Sequence, residues 1–225
     1  MQPAIILSVY KRLVSIVEDD PLIRSLIASH LENAGFQVSV ASNFVDGLRL
    51  VESVDPDAVV LDIDLGPGPT GIDLAARLRD TNEDVAVVFL TSLSDPRFTA
   101  NGVGDIPKNA GYLNKHLLSD AHEIVDALNA VLTGRGVRRF RHDLNDDRPL
   151  GHLSRVQIQV LRLISEGKTN QQIAKIRGRS LPATESVITR TLSALGIDGE
   201  ADQNARVMAA HRFMNSINVP TVETP

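Results

Sequence analysis

The sequence predicts a doubly wound α/β domain, built on a five-stranded parallel sheet, followed by a small all-α domain. Three observations carry this expectation. Over the first 133 residues short apolar runs alternate with amphipathic stretches of helical period, whereas after residue 150 only helical periods remain. Charge also changes sign between the halves: residues 1–133 hold 9 Lys/Arg against 19 Asp/Glu, and residues 134–225 hold 14 against 9. An acidic half suits metal chemistry or plain solubility, and a basic half suits a phosphate backbone.

Strands are expected at residues 13–17, 37–41, 58–62, 86–91 and 111–114, with helices at 22–34, 43–54, 71–79 and 119–132. The first strand runs out into "VEDDP". There Asp20 reads as a helix N-cap and Pro21 as the first helical residue, which leaves Glu18 and Asp19 without a structural role. The first helix is closed by Gly35. The run "AVVLD" is continuously apolar, as a central parallel strand buried on both faces should be. In "DPRFTANGVGDIPKNAG", between the fourth and fifth strands, Gly102, Gly104 and Pro107 leave room for no more than a loop or a stunted helix.

Periodicity vanishes in "TGRGVRRFRHDLNDDRPLG", which reads as a solvated linker. Beyond it, Ser154…Gln157 and Thr169…Gln172 have capping-box spacing. They open helices whose apolar faces are Val156, Val160, Leu163 and Ile164, then Ile173 and Ile176. Pro182 opens a third helix, with Val187, Ile188, Leu192 and Leu195 inward and Gly196 after it, and a fourth spans 203–214. The expected domains are therefore 1–133 and 151–216, joined by a linker at 134–150 and followed by a flexible tail at 217–225.

There is no cysteine, which excludes disulfides and thiolate metal sites and fits a reducing cytosol. The start "MQPAIILSVYKR" has a short apolar run with no basic residue ahead of it, unlike a signal peptide, and no segment reaches membrane-spanning length. The expected location is the cytoplasm, with no membrane partner.

In open parallel sheets the ligand sits beyond the carboxyl ends of the strands. Here Glu18 and Asp19 follow the first strand, Asp62 ends the third, Thr91 ends the fourth and Lys115 follows the fifth. Neighbouring carboxylates repel unless a cation joins them. A nucleophilic carboxylate, an acidic pair for a hard cation, a hydroxyl and an ammonium suit phosphoryl transfer.

The motifs "VEDDP", "VVLDIDLGPGPTGIDL", "VFLTS" and "GYLNK" resemble the receiver domain of two-component response regulators, over about residues 11–132. That resemblance implies a flavodoxin-like strand order 2-1-3-4-5. It implies that Asp62 is the phospho-acceptor for a sensor histidine kinase. Mg2+ would be bound by Glu18, Asp19, Asp62 and the backbone carbonyl of Asp64. Thr91 and Lys115 would contact the phosphoryl group, with Tyr112 as the switch aromatic that follows Thr91 inward. The protein would be a phospho-accepting regulator rather than an enzyme, with at most slow autophosphatase activity. Two features depart from the family: His116 follows Lys115 where proline, often cis, is usual, and the fourth connection is short of helix. "LDIDLG" also resembles the nucleophile motif of haloacid-dehalogenase-type phosphatases, with Asp62 attacking and Asp64 as acid and base. Gly66, however, stands where those enzymes usually have Thr or Val.

Two helices joined by a short turn have helix-turn-helix proportions, which an ordinary small bundle shares. "LSRVQIQVLRLISEGKTNQQIA" and "VITRTLSALGI" resemble the LuxR-type DNA-binding domain of response regulators, over about residues 152–212. The helix near Pro182 would then enter the major groove of double-stranded DNA, with base contacts from Thr184, Glu185, Ser186, Thr189 and Arg190. Phosphate contacts would fall to Lys168, Thr169, Asn170, Lys175, Arg177, Arg179 and Arg190. Relatives carry lysine early in this helix, where this chain has Glu185, and Arg177 and Arg179 occupy turn positions that are usually apolar. The implied function is control of transcription as a homodimer, with RNA polymerase as a further partner. The alternative is a receiver-like regulator that binds DNA independently of phosphorylation.

Overall fold

The computed structural model describes residues 11–81, 84–99, 106–145, 148–197 and 203–217. Five parallel strands, β1 (Leu13–Val17), β2 (Gln37–Ala41), β3 (Ala58–Leu61), β4 (Ala86–Thr91) and β5 (Gly111–Asn114), form one sheet in the order β2-β1-β3-β4-β5. The register Val17↔Ala41, Val17↔Leu61 and Leu61↔Phe89 sets the carboxyl ends of the first four strands side by side. Asp62, expected inside the third strand, lies just past its end.

Four helices, α1 (Pro21–Asn33), α2 (Phe44–Val54), α3 (Gly71–Thr81) and α4 (His122–Thr133), accompany the sheet. Alternate strand residues Val14, Ile16, Ala58, Val60, Val88 and Leu90 share one core with Ile27 and Leu31 of α1 and Ile124 and Leu128 of α4. The intervening Val59, Leu61, Val87 and Phe89 are equally buried, so the sheet is covered on both faces. The Asp20 side chain caps α1 as the sequence suggests. Asp20 accepts from the N–H groups of Leu22 (2.8 Å) and Ile23 (3.0 Å), and Gly134 closes α4 at φ 67°.

Between β4 and β5 there is a single 3-10 turn, Pro96–Phe98, among the described residues; Gly102 and Gly104 lie outside them. The supposed linker holds two more 3-10 turns, Val137–Phe140 and His142–Leu144. Part of it is packed rather than solvated: Phe140, Arg141 and Asp143 are buried, because Phe140 adds to the sheet's core and the Arg141 guanidinium pairs with Asp143 at 2.7 Å, while Arg135, Arg138 and Arg139 are exposed.

Four helices follow: α5 (Arg155–Ser165), α6 (Asn170–Arg177), α7 (Leu181–Ala194) and α8 (Gln203–Ile217). Both capping boxes are formed, Ser154 with Gln157 and Thr169 with Gln172. Val156 and Ile176, assigned above to apolar inner faces, are instead 44% and 53% exposed, since they lie off the stripe of Ile158, Leu161, Ile164 and Ile173. The helix α8 continues past 214 to Ile217, and the tail beyond it lies outside the described residues. Among the described residues no helix is long and apolar enough to cross a membrane.

By contact density the chain divides into two compact units. One runs to Leu90 and resumes at Pro107–Leu113 and Leu118–Phe140; the other takes Thr91–Ile106, Asn114–Leu117 and everything from Arg141 onward. The sheet belongs to the first, yet the last residues of β4 and β5, Thr91 and Asn114, are assigned with the helices of the second.

Candidate functional site

Parallel pairing continues just past the strand ends. The N–H of Glu18 donates to the carbonyl of Ala41 at 3.2 Å, and that of Asp62 to the carbonyl of Val17 at 2.9 Å. Ligand oxygens of Glu18, Asp19 and Asp62 consequently lie within 4.8 Å of one another. Glu18 and Asp62 are buried and Asp19 is exposed, so the cluster opens to solvent on one side. Arg24 in the first turn of α1 donates Nη1 to the backbone carbonyls of Glu18 (2.6 Å) and Asp19 (3.2 Å), which pins the loop by its main chain. Three carboxylates this close repel in low dielectric, and an all-oxygen set is what a hard divalent cation takes. The residues present fit such a cation.

The Asp64 carboxylate points elsewhere. It is exposed, accepts the Gly66 N–H at 3.3 Å, and is outside the cluster, while its own N–H donates to Asp62 Oδ1 at 3.3 Å. The loop from Asp62 returns to α3 through Gly71, whose N–H donates to Ile63 O at 2.9 Å. Thr70 and Asp73 cap that helix, with bonds of 2.7 Å and 2.8 Å to Asp73 Oδ2.

Thr91 is buried, and its Oγ1 accepts from the N–H of Leu93 at 3.3 Å. Its carbonyl accepts the N–H of Lys115 at 2.8 Å, which joins the backbones of the two candidate phosphoryl ligands through one hydrogen bond. Without proline after Lys115, the loop turns on Asn114: its Oδ1 accepts from His116 N–H (2.8 Å) and its carbonyl from Leu117 N–H (3.0 Å). Tyr112 is fully buried.

In the helical unit, Glu185, Ser186, Thr189 and Arg190 of α7 are exposed, as are Lys175 at the end of α6 and Arg179 in the turn. Thr184 is not. It is fully buried with no hydrogen-bond partner for its hydroxyl, because it lies on the same side of α7 as Ile188 and Thr191 and faces inward; it cannot touch a base edge. Thr169 caps α6, and its hydroxyl accepts from Gln172 N–H at 3.3 Å. Lys168 and Asn170 are held by a residue that the motifs do not reveal: Arg206 of α8 donates to Lys168 O (2.5 Å) and to Asn170 Oδ1 (2.8 Å). Burial first, and the neighbouring charge of Arg179 second, hold the Arg177 guanidinium below its ordinary pKa. Its Nε and Nη1 lack hydrogen-bond acceptors.

Residues 14–129 match the response regulator receiver domain, which is more than half of the chain. The chain belongs to the response regulator receiver family. It is similar to the positive transcription regulator of virulence factors BvgA of Bordetella pertussis, with 28% identity over 192 residues, 81% of this chain and 90% of that one. It is also similar to the transcriptional regulatory protein LiaR of Bacillus subtilis, with 27% identity over 217 residues, 88% and 96% of the two chains. In fold it is similar to RcsB of Salmonella enterica, solved on a promoter in the presence of phosphomimetic BeF3-, with a TM-score of 0.57, 20% identity and coverage of 89% and 98%. In this receiver Asp62 follows the middle strand of the sheet, and family membership overrides the phosphatase likeness of "LDIDLG".

Other residues of this receiver were also missed by sequence reasoning. Asp95, Arg97 and Phe98 are built into the helical unit, and His142 accepts the N–H of Asn114 at Nδ1 (3.1 Å). The pair Asp95-Pro96, an N-cap followed by proline, was the one local signal pointing to this turn.

Proposed function

We propose that this receiver accepts a phosphoryl group on Asp62 from a sensor histidine kinase, and that its helical unit binds double-stranded DNA to control transcription from the cytoplasm. The observation that carries the first half is the cluster of Glu18, Asp19 and Asp62 at adjoining strand ends. Mg2+ would be held by these carboxylates and the Asp64 backbone carbonyl, and when bound it supplies positive charge against the phosphoryl oxygens.

An Asp62 carboxylate oxygen forms the new bond to phosphorus as the donor's N–P bond breaks, and the freed imidazole nitrogen keeps the electron pair. Burial of Asp62 limits water at the acyl phosphate so formed. The Thr91 hydroxyl and the Lys115 ammonium donate to the added oxygens. Charged hydrogen bonds contribute about 1.5–3 kcal/mol each, so two approach the roughly 5.5 kcal/mol that inverts a 1:99 population. Tyr112 is the switch aromatic of this reading.

The names of BvgA and LiaR as transcription regulators, and the positive balance of residues 134–225, support the DNA-binding half. Glu185, Ser186, Thr189 and Arg190 take the base edges, with Glu185 accepting from a cytosine amino group. Lys168, Thr169, Asn170, Lys175, Arg177, Arg179 and Arg190 take phosphates. Paired copies on two half-sites, recruiting RNA polymerase, complete the reading.

The test is incubation with acetyl phosphate and Mg2+, followed by intact mass. A single stable adduct that Asp62→Asn abolishes supports the switch. Rapid donor turnover without an adduct indicates a phosphatase, and inertness indicates a DNA-binding regulator independent of phosphate.

A further inference from the structure

Among the described residues the β4–β5 connection holds a single 3-10 turn, and residues 91–99 are packed as part of the helical unit. Phe98, 4% exposed, belongs to the same core as Leu153, Leu161 and Phe213. Its ring meets Phe213 of α8 edge-on, with centroids 5.6 Å apart and planes at 79°. Leu93 packs against that core as well.

Polar anchors fix the same segment. Asp95, with no exposure, accepts the Arg97 N–H at 2.9 Å and pairs with the Arg97 guanidinium, Nη2 to Oδ2 at 2.5 Å, while Arg148 Nε lies 3.5 Å from that oxygen. The Arg97 guanidinium also donates to the carbonyls of Leu150 and Leu153, just ahead of α5. Ser94 Oγ donates to the carbonyl of Ser216 near the end of α8, at 3.1 Å. The second piece, 114–117, is tied in by the Asn114 N–H donating to His142 Nδ1.

We propose that residues 93–98 are a strap belonging to the core of the helical unit, and that this strap carries the phosphorylation state of Asp62 from Thr91 into α5 and α8. The coupling rests on the reading of Asp62 and Thr91 given above. Only Ser92, Leu93 and Ser94 separate Thr91 from the buried Asp95, so the chain between them has little slack. A shift of Thr91 toward a phosphoryl group must be taken up where Phe98 and Asp95 are anchored, and close-packed cores answer such a shift by changing arrangement rather than by stretching.

Hydrogen–deuterium exchange of the full chain, with and without acetyl phosphate and Mg2+ and with intact mass in parallel, tests both parts. Without the donor, Phe98→Ala raises exchange in α5 and α8 by about fivefold or more, and Phe98→Leu, which keeps most of the apolar volume, raises it less. Unchanged exchange in both variants overturns the strap. With the donor, wild-type exchange in α5 and α8 changes by about fivefold or more, the lower edge of usual coupling, and Phe98→Leu reduces that change while Asp62 is modified as fully as in wild type. Wild-type helices that exchange equally with and without the adduct overturn the coupling. Absence of any adduct refutes the phospho-acceptor reading and the coupling with it, and the donor-free arm still decides whether the strap exists.

Discussion

A Cβ placed on Gly71 would lie 1.9 Å from the backbone carbonyl oxygen of Asp62, so the first residue of α3 rests directly against the main chain of Asp62. The helix can start that close because no side chain intervenes. The glycine in "PTGIDL" is thus a spacing element for the acidic cluster.

Gly71→Ala is expected to displace Asp62 and to destabilise the receiver by about 1–3 kcal/mol or more, the usual result of overpacking a filled site. Chemical denaturation measures the loss, and adduct formation with acetyl phosphate should slow in parallel. A variant with wild-type stability and labelling would show that the loop yields freely.

Asp19→Asn removes the exposed member of a repelling cluster. Without metal the variant should be at least as stable as wild type. At a Mg2+ concentration one hundred times its Kd, wild type should gain about 2.7 kcal/mol, and the variant less at that same concentration. Thermal midpoints along a Mg2+ titration separate the two signs.

Thr184→Val replaces a buried, unpartnered hydroxyl with a methyl group of similar size. The expected outcome is a gain of about 1 kcal/mol with unchanged DNA affinity. A loss of DNA affinity at constant stability would return Thr184 to the interface.

Arg190→Ala and Lys175→Ala should each weaken DNA binding and reduce the slope of log K against log salt by about 1, as expected for a lost phosphate contact. Titrations at several salt concentrations give the slopes. Steepness equal to wild type would remove these residues from the backbone contacts.

Arg206→Ala frees the carbonyl of Lys168 and the Asn170 side chain at the start of α6. A cost of about 1–3 kcal/mol is expected from the groups left without a donor, together with weaker DNA binding, although Arg206 lies outside the helix-turn-helix. Urea unfolding followed beside a binding titration checks both.

Much of this was legible before any coordinates. Strands β1, β2, β4 and β5 fall on the residues that their apolar runs mark, and Asp20, Ser154 and Thr169 cap where their spacing to the next helix predicts. The three acidic residues of the cluster were readable because each follows a strand, and parallel strands deliver their carboxyl ends to one edge. Thr184 was misplaced because one helical position, about 100° of turn, separates it from the exposed Glu185.

The sequence by itself determined the alternation of strands and helices, the placing of Asp62 with its acidic neighbours Glu18 and Asp19, and the two helix starts around the turn. Each of these depends on periodicity or capping within a few residues. Tertiary structure alone decided that Phe98 and Asp95 belong to the helical core, that His142 holds Asn114, and that Arg206 pins α6. Those contacts join positions far apart, 122 residues in the case of Ser94 and Ser216. No local pattern encodes such pairs, because burial selects side chains by shape and charge only after the chain has closed around them.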